Sequence, residues 1–457
     1  MIQFVYILVG GYCMKIRLFS LLLSLFCVIG ICGCASQDEI SNESEIVETE
    51  TIVVDQTSSE TTTSKEDNIS SKDDTSSTIS TPSESQSNVS SNTSSQTEIK
   101  IDYSKIVEID ICDDVVRGYL DATTVNNQYF WLSTYQSTKS DFQSVKLDWE
   151  MGRAPYTIYM SENADFSNAI VTVTNSFEIK NTICVPGKTY YWKVVGSNSD
   201  KILGGGKIKI KDAPVRWIYI EGISNVRDMG GWTTTSGKKV KYEMLYRGAQ
   251  LNAKKDDGTI VQNLKSAGLE TFNSLGIKTE FDLRTSSDAG VAAEGVNLNY
   301  VAVADHTAYH NIFSKSTKNT VVSNYKTMFN YLSDASNYPI YTHCQGGADR
   351  TGTYVFLLNG LLGVSYEDLT RDFELTSFGG NKRWRGEGKG GTFGPNDTSY
   401  KTETGQTIAW GDLYNGMMEY GKENGCTTLQ QSIEHWFINY VGIPQSQIDI
   451  FKSIMLE

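Results

Sequence analysis

The chain has 457 residues, 39% of them apolar and 21% charged, with 40 basic against 54 acidic side chains for a formal charge of −14. That length points to two or three domains, and the modest apolar share points to a polar, unfolded stretch beside them. The acidic balance excludes sequence-independent nucleic-acid binding, which needs cationic surface to displace counterions, and eight scattered cysteines exclude a disulfide-built scaffold.

Residues Met1 to Ile31 are mostly apolar, interrupted by Lys15 and Arg17. With Met14 as the start, those two cations open a signal peptide, and Leu18 to Ile31 form its apolar run, too short to span a bilayer comfortably. The end of that run, Ile31-Cys32-Gly33-Cys34, resembles the lipobox of bacterial lipoproteins, which implies cleavage after Gly33 and acylation of Cys34. Residues 1–33 thus read as a lipoprotein signal peptide, with an uncleaved N-terminal anchor as the alternative. Either way the remainder is expected outside the cytoplasmic membrane, held to its outer face. Residues 34–100 read as a tether. Ala35 to Lys100 holds 14 acidic residues and three lysines, and 24 of the 41 residues from Thr57 to Thr97 are serine or threonine. Only three aliphatic residues interrupt that second stretch, too few to offset the entropy of ordering it, so disorder is expected. A flexible coil of this length spans roughly 40–50 Å.

Residues 101–212 are expected to form an all-β sandwich. Val145, Leu147 and Trp149 alternate onto one face, Tyr156 to Met160 reads as a strand closed by a polar turn, and Pro186-Gly187 opens a strand whose Tyr190, Trp192 and Val194 share a face. This stretch resembles the fibronectin type III family, in which a buried Trp and a tyrosine corner are typical, places that Trp149 and Tyr190 fill. Cys184 reads as a small core side chain. The module carries no catalytic pattern and reads as a spacer or packing partner, with ligand binding as the alternative.

The chemistry gathers at Tyr338 to Gly352. A β-like run ends at His343-Cys344, a short loop Gln345-Gly346-Gly347-Ala348 follows, and Asp349-Arg350-Thr351-Gly352 opens an apolar helix. Successive backbone N–H groups in such a turn, together with the helix N-terminus, make an anion-binding concavity. The same field lowers a thiol pKa, so Cys344 is expected to be a thiolate near neutral pH. Arg350, six residues on, can return over the loop and clamp two phosphoryl oxygens through its planar fork. The Thr351 hydroxyl can donate to the sulfur, while His343 is expected to orient the loop rather than act as a base.

His-Cys-x5-Arg-Thr-Gly resembles the signature of cysteine-dependent protein tyrosine phosphatases, and Cys-x4-Asp-Arg narrows the likeness to bacterial tyrosine phosphatases that also act on phosphoinositides. Upstream, Asn225-Val226-Arg227-Asp228-Met229-Gly230-Gly231 is similar to that family's opening motif, Leu245 to Ala249 to its next strand and turn, and Leu275 to Arg284 to its Asp-Leu-Arg strand. Val364 to Ser377 and Ile443 to Glu457 also fit, so the resemblance covers roughly residues 214–457, and a tyrosine phosphatase domain is expected over 213–457. It implies an α/β fold, a central mixed sheet flanked by helices, and a two-step phosphomonoester hydrolysis through a cysteinyl phosphate. It implies no cofactor and no metal.

The resemblance implies Asp349 as the acid that protonates the leaving oxygen. Spacing leaves Asp305 open as well, since it follows the alternating strand Leu298 to Val303. Asp282, Arg284, Arg227 and Asp228 are expected to form ion pairs that buttress the loop. Ser365-x-x-Asp368 resembles a capping box that starts another helix. Phe378 to Gly391 holds six glycines and four basic residues around one Trp. It reads either as a lid whose Lys382, Arg383 and Arg385 recruit further phosphates, or as a solvated surface insertion. The expected partner is a phosphotyrosine protein; an inositol phosphate or phosphoinositide is the enzymatic alternative, and an inactive phosphate-binding or adhesion protein the alternative from another class.

Overall fold

The computed structural model describes residues 4–9, 12–17, 99–135, 144–150, 152–179, 183–196, 201–288, 291–385 and 410–457. The apolar run of the expected signal peptide, Cys34, the tether to residue 98 and the glycine-rich residues 386–391 lie outside the described residues. Strands β1 (Phe4–Val9) and β2 (Tyr12–Arg17) pair antiparallel as a hairpin.

The alternation read between residues 145 and 194 does build strands. A five-stranded sheet runs β3-β9-β8-β5-β6, from β3 (Ile106–Ile109), β5 (Tyr156–Ser161), β6 (Ile170–Thr174), β8 (Thr189–Gly196) and β9 (Ile202–Ile210). β4 (Val145–Lys146) and β7 (Glu178–Ile179) make a second, two-stranded sheet. Val145, Leu147, Trp149, Tyr156, Ile158, Tyr190, Trp192 and Val194 fill one core, with Cys184 fully buried among them. The Tyr190 hydroxyl accepts the Val185 N–H at 3.1 Å, the upstream backbone contact that a tyrosine corner makes.

The expectation of an all-β module over 101–212 is corrected by two helices, α1 (Asp114–Asp121) and α2 (Val125–Tyr135), inserted after β3. The cause is local at the first. The Asp113 carboxylate caps α1 by accepting Val116 N–H at 2.7 Å, and Val116, Tyr119 and Leu120 form an i, i+3, i+4 stripe. That stripe joins the core of the C-terminal half rather than that of the two sheets.

The C-terminal half is built on a six-stranded mixed sheet ordered β10-β11-β12-β17-β15-β16. Its strands are β10 (Arg216–Trp217), β11 (Arg227–Asp228), β12 (Leu245–Gly248), β15 (Thr279–Asp282), β16 (Asn299–Ala302) and β17 (Ile340–His343). A hairpin, β13 (Asn252–Lys254) and β14 (Ile260–Gln262), and helix α3 (Ser266–Ser274) connect β12 to β15. β17 lies between β12 and β15, parallel to both, and all four of its residues are buried. A strand covered on both faces reads as a continuous rather than alternating run.

From β17 the chain enters α5 (Asp349–Leu362), buried at every position from Thr351 to Leu362. A helix apolar all round must sit inside the fold, and α4 (Lys318–Leu332), α6 (Tyr366–Leu375), α7 (Trp410–Glu423), α8 (Leu429–His435) and α9 (Gln445–Met455) complete the helical layers. α8 approaches closely at Gly360, where a Cβ would lie 2.4 Å from Ile433 Cδ1. Ser365 caps α6 as expected, its Oγ accepting Asp368 N–H at 3.1 Å. Among the described residues no helix is long and apolar enough to cross a membrane.

Candidate active site

β17 ends with His343, and the next residue, Cys344, is 3% exposed at the floor of a cavity. Residues 345–348 turn the chain into α5, with Ala348 at its N-cap. Gly347 takes a positive φ of 65°, and a Cβ there would lie 2.3 Å from the Gly248 carbonyl, so only glycine fits. The loop carbonyls are tied outward. Asn225 Nδ2 donates to the carbonyls of Gly346 at 3.2 Å and Gly347 at 3.0 Å, Arg247 to Gly347 at 2.7 Å, and Asn381 Nδ2 to Gly346 at 3.1 Å. The Gln250 N–H holds the Gln345 carbonyl at 3.2 Å. Carbonyls held on the outside turn the amides of the loop inward, onto the helix N-terminus, as an anion nest.

Burial works against ionisation of Cys344. The Thr351 hydroxyl, the Arg350 charge and the backbone N–H groups of Thr351 and Ala348 outweigh it, so the thiol lies below its usual value. Thr351 Oγ1 is buried with no oxygen or nitrogen as its partner among the described residues. Its proximity to the sulfur leaves the thiolate as the acceptor it serves. Arg350 is half-buried on the cavity wall, with one long bond of 3.4 Å to the Leu283 carbonyl.

Two buried charge clusters sit behind the loop. The Asp372 carboxylate on α6 bridges Arg227, at 3.0 Å, and Arg247, all three side chains being nearly or wholly buried. Burial opposes its charge, but the two guanidinium groups hold it below the usual carboxylate range. Arg227 also donates to Asn225 Oδ1, so the arginine that Asp372 fixes in turn fixes the side chain holding Gly346 and Gly347. In the second cluster His343 Nε2 meets Glu280 Oε1 at 2.9 Å and its Nδ1 meets the Cys344 carbonyl at 3.1 Å. Burial disfavours the imidazolium, yet Asp282 and the Glu280 hydrogen bond raise its pKa. His343 therefore orients the loop as an inward-facing strut.

Asp282 pairs with Arg284 at 2.6 Å, and Asp228 lies 3.6 Å from Arg216, so the four residues expected as buttresses are all in buried ion pairs. The partners of Arg227 and Asp228 differ from each other, however. Sequence reasoning missed Asp372, Glu280, Asn381 and Tyr309 as contributors; Asn225 and Arg247 stood in motifs without a role.

The cavity over the loop has a volume of about 670 Å³ and is lined by Asp305, His306, Tyr309, Arg350, Asn381 and Arg383 among others. The two acid candidates stand differently on it. Asp349 accepts Arg383 Nε at 2.9 Å on Oδ1 and Arg383 Nη2 at 2.9 Å on Oδ2, and Oδ1 also accepts the Tyr309 hydroxyl. Asp305 is exposed, with φ at 58°, and its Oδ1 accepts the Ser286 N–H at 3.0 Å. Burial, with the Arg350 charge, lowers the pKa of neighbouring His306 to about 3, so its ring stays neutral.

The three basic residues expected in a lid part company. Arg383 reaches into the cavity to Asp349, Arg385 is paired to buried Glu374 at 2.8 Å, and Lys382 is exposed. Trp384 between them is 1% exposed, so the 381–385 stretch is packed wall rather than free surface. Among the described residues no cluster of His, Cys, Asp or Glu has the makings of a metal site.

Residues 218–457 match the tyrosine phosphatase family. The chain belongs to that family. It is a phosphatase, and the family's region takes in the whole six-stranded sheet except β10 and every helix from α3 onward. Among curated proteins none matches the chain. Solved structures that match include the core catalytic domain of a PP-IP phosphatase from S. cerevisiae in complex with citrate, at 14% identity over 36% of this chain and 81% of that one, with a TM-score of 0.23.

Proposed function

We propose that this phosphatase hydrolyses phosphomonoesters through a cysteinyl phosphate on Cys344, with phosphotyrosine in proteins as its substrate class. One observation carries the reading: a thiol held below its usual pKa faces a loop whose carbonyls are tied outward by Asn225, Arg247 and Asn381. Cys344 Sγ attacks phosphorus, the S–P bond forms, and the P–O bond to the leaving group breaks. The loop amides and Arg350 hold the non-bridging oxygens as negative charge develops. Water then attacks phosphorus, and the thiolate leaves toward the Thr351 hydroxyl. The near-complete burial of Cys344 favours a phosphoryl group carried on a long aryl side chain over one on serine.

For the proton on the leaving oxygen we assign Asp305. Asp349 has both carboxylate oxygens occupied by donors, whereas Asp305 stands exposed on the cavity wall. Asp305→Asn is expected to remove one limb of the pH profile of an aryl phosphate, and Asp349→Asn to keep that limb; the opposite pattern would move the acid to Asp349. Release of phosphate from phosphotyrosine peptide, phosphoserine peptide, inositol hexakisphosphate and a phosphoinositide, with Cys344→Ser as control, tests the activity and substrate together. Absence of turnover on all four would overturn the hydrolase reading. Turnover of the inositol compounds alone would favour the second reading, which the breadth of the cavity and the Arg383 cation on its wall support.

The lipobox-like Ile31-Cys32-Gly33-Cys34 and the acidic stretch after it support display outside the cytoplasmic membrane on an acylated Cys34 and a tether of residues 34–100. Trp149 and the Tyr190 contact support kinship of residues 101–212 with fibronectin type III modules. Mass spectrometry of the protein from membranes would find residues 1–33 absent and an acyl group on Cys34; an intact N-terminus would refute the anchor.

A further inference from the structure

Helices α1 and α2 bury their contacts on the end of α6 and on one face of the stretch that follows it. The Tyr119 hydroxyl donates to Glu374 Oε2 at 2.6 Å in a fully buried setting. Glu374 in turn accepts Arg385 N–H at 3.0 Å and Arg385 Nε at 2.8 Å on Oε1. Arg385 Nη2 also donates to Gln128 on α2. Rings reinforce the joint, with Tyr129 edge-on to Trp384 at 5.4 Å and Tyr119 edge-on to Phe378 at 5.6 Å.

The other face of the same stretch is part of the catalytic loop's surroundings. Gly379 abuts Asn225 so closely that a Cβ would lie 2.7 Å from Asn225 Cβ. Asn381 holds the Gly346 carbonyl, and Arg383 holds Asp349. Between the two faces the backbone has little freedom, because Ser377 Oγ accepts Arg383 N–H at 2.8 Å and donates to the Arg383 carbonyl at 2.7 Å. Asp349 is the first residue of α5, at the rim of a loop that must receive a dianion. Its carboxylate would repel that dianion unless a cation offsets it, and Arg383 is the cation in contact.

From this, and resting on the hydrolase reading of Cys344, we infer that α1 and α2 set the position of Arg383 over Asp349 and thereby raise the anion affinity of the catalytic loop, with Tyr119 as the positioning residue. The inserted helices are thus a working part of the phosphatase site, beyond the spacer or packing role read for residues 101–212 as a whole.

A double-mutant cycle on the full chain decides it, with Tyr119→Phe, Arg383→Ala and the pair. Tungstate binding by calorimetry and kcat/KM for an aryl phosphate are the two readouts. Each single variant should weaken tungstate binding at least about threefold, and the double variant should be no worse than Arg383→Ala alone, as coupled residues of one network behave. Tyr129→Leu, which removes the ring packed edge-on against Trp384, is expected to repeat the Tyr119→Phe effect should that variant fold poorly. A Tyr119→Phe or Tyr129→Leu protein that melts earlier but binds tungstate as wild type does would overturn the inference. So would effects that simply multiply in the double variant. A wild-type chain that binds tungstate yet releases phosphate from no substrate sinks the hydrolase reading while the tungstate cycle still judges the positioning; one that binds no tungstate sinks both.

Discussion

Asp372→Asn tests the frame behind the loop. The substitution keeps the shape of the side chain and removes the one anion lying between Arg227 and Arg247, whose guanidinium groups are both fully buried. Burial, and after it the Arg247 charge, already bring the pKa of Arg227 down to about 10 with Asp372 in place. Removing one partner of a buried ionic cluster costs about 3–5 kcal/mol, because the remaining charges stay out of water without compensation. At about 2–4 °C per kcal/mol for a domain of this size, the melting temperature should fall by about 6–20 °C. Turnover should fall too, since Arg227 positions Asn225, and Asn225 and Arg247 together hold the Gly347 carbonyl. Urea unfolding followed by tryptophan fluorescence gives the stability, and phosphate release below the midpoint gives the activity. The apolar triple replacement R227M/D372L/R247M should regain much of the stability but not the turnover, which separates fold from loop. A stability loss under about 1 kcal/mol in Asp372→Asn would refute the reasoning, because that is the scale of an exposed pair.

Other outcomes follow from single features. Cys344 should be alkylated by iodoacetamide at a lower pH than an ordinary thiol, and Thr351→Val should move the midpoint upward; identical midpoints would deny the hydroxyl its role. Gly347→Ala forces a side chain into a positive φ and onto the Gly248 carbonyl, so a strain of about 1–3 kcal/mol and a steep loss of turnover are expected, and wild-type kinetics would count against the nest. His343 is a base with its folded pKa raised, so its contribution is fully present below the unfolded value of about 6.5 and fades as pH rises through the folded one. Glu280→Gln should therefore cost more stability at about pH 6 than at about pH 8.5 in urea titrations, and a pH-independent cost would mean that the pair is not ionic.

The loop itself was legible because its chemistry is local. Cys344, Arg350 and Thr351 lie within eight positions, between a short β-like stretch and a helix that carries a long apolar run. The partners of that loop were not legible, for a physical reason. Asp372 contacts Arg227 across 145 positions, and an acid beside other charges on an amphipathic helix looks solvated until α6 is packed. Arg383 likewise reads as mobile and exposed in a glycine-rich stretch, and only the tertiary fold sets it against Asp349. In α2 the run Asn126-Asn127-Gln128-Tyr129-Phe130-Trp131 lacks an apolar stripe and is rich in residues that favour turns and strands, so a β module was the natural expectation. By contrast the capping box at Ser365 and the core face of Tyr190, Trp192 and Val194 were readable from spacing alone.

The loop is fastened by residues a hundred or more positions upstream, from Asn225 and Arg247 to Gly347. In an unfolded chain none of these struts exists, and Cys344 is an ordinary, mostly protonated thiol. The reactive sulfur is thus a product of finished tertiary structure, arriving only when β11, β12 and β17 have met. Meanwhile burial pushes the thiols of Cys112 and Cys184 up to about 12, the opposite direction from Cys344. Under the proposed display outside the membrane, the sulfur would gain its thiolate character only once the fold around it is complete.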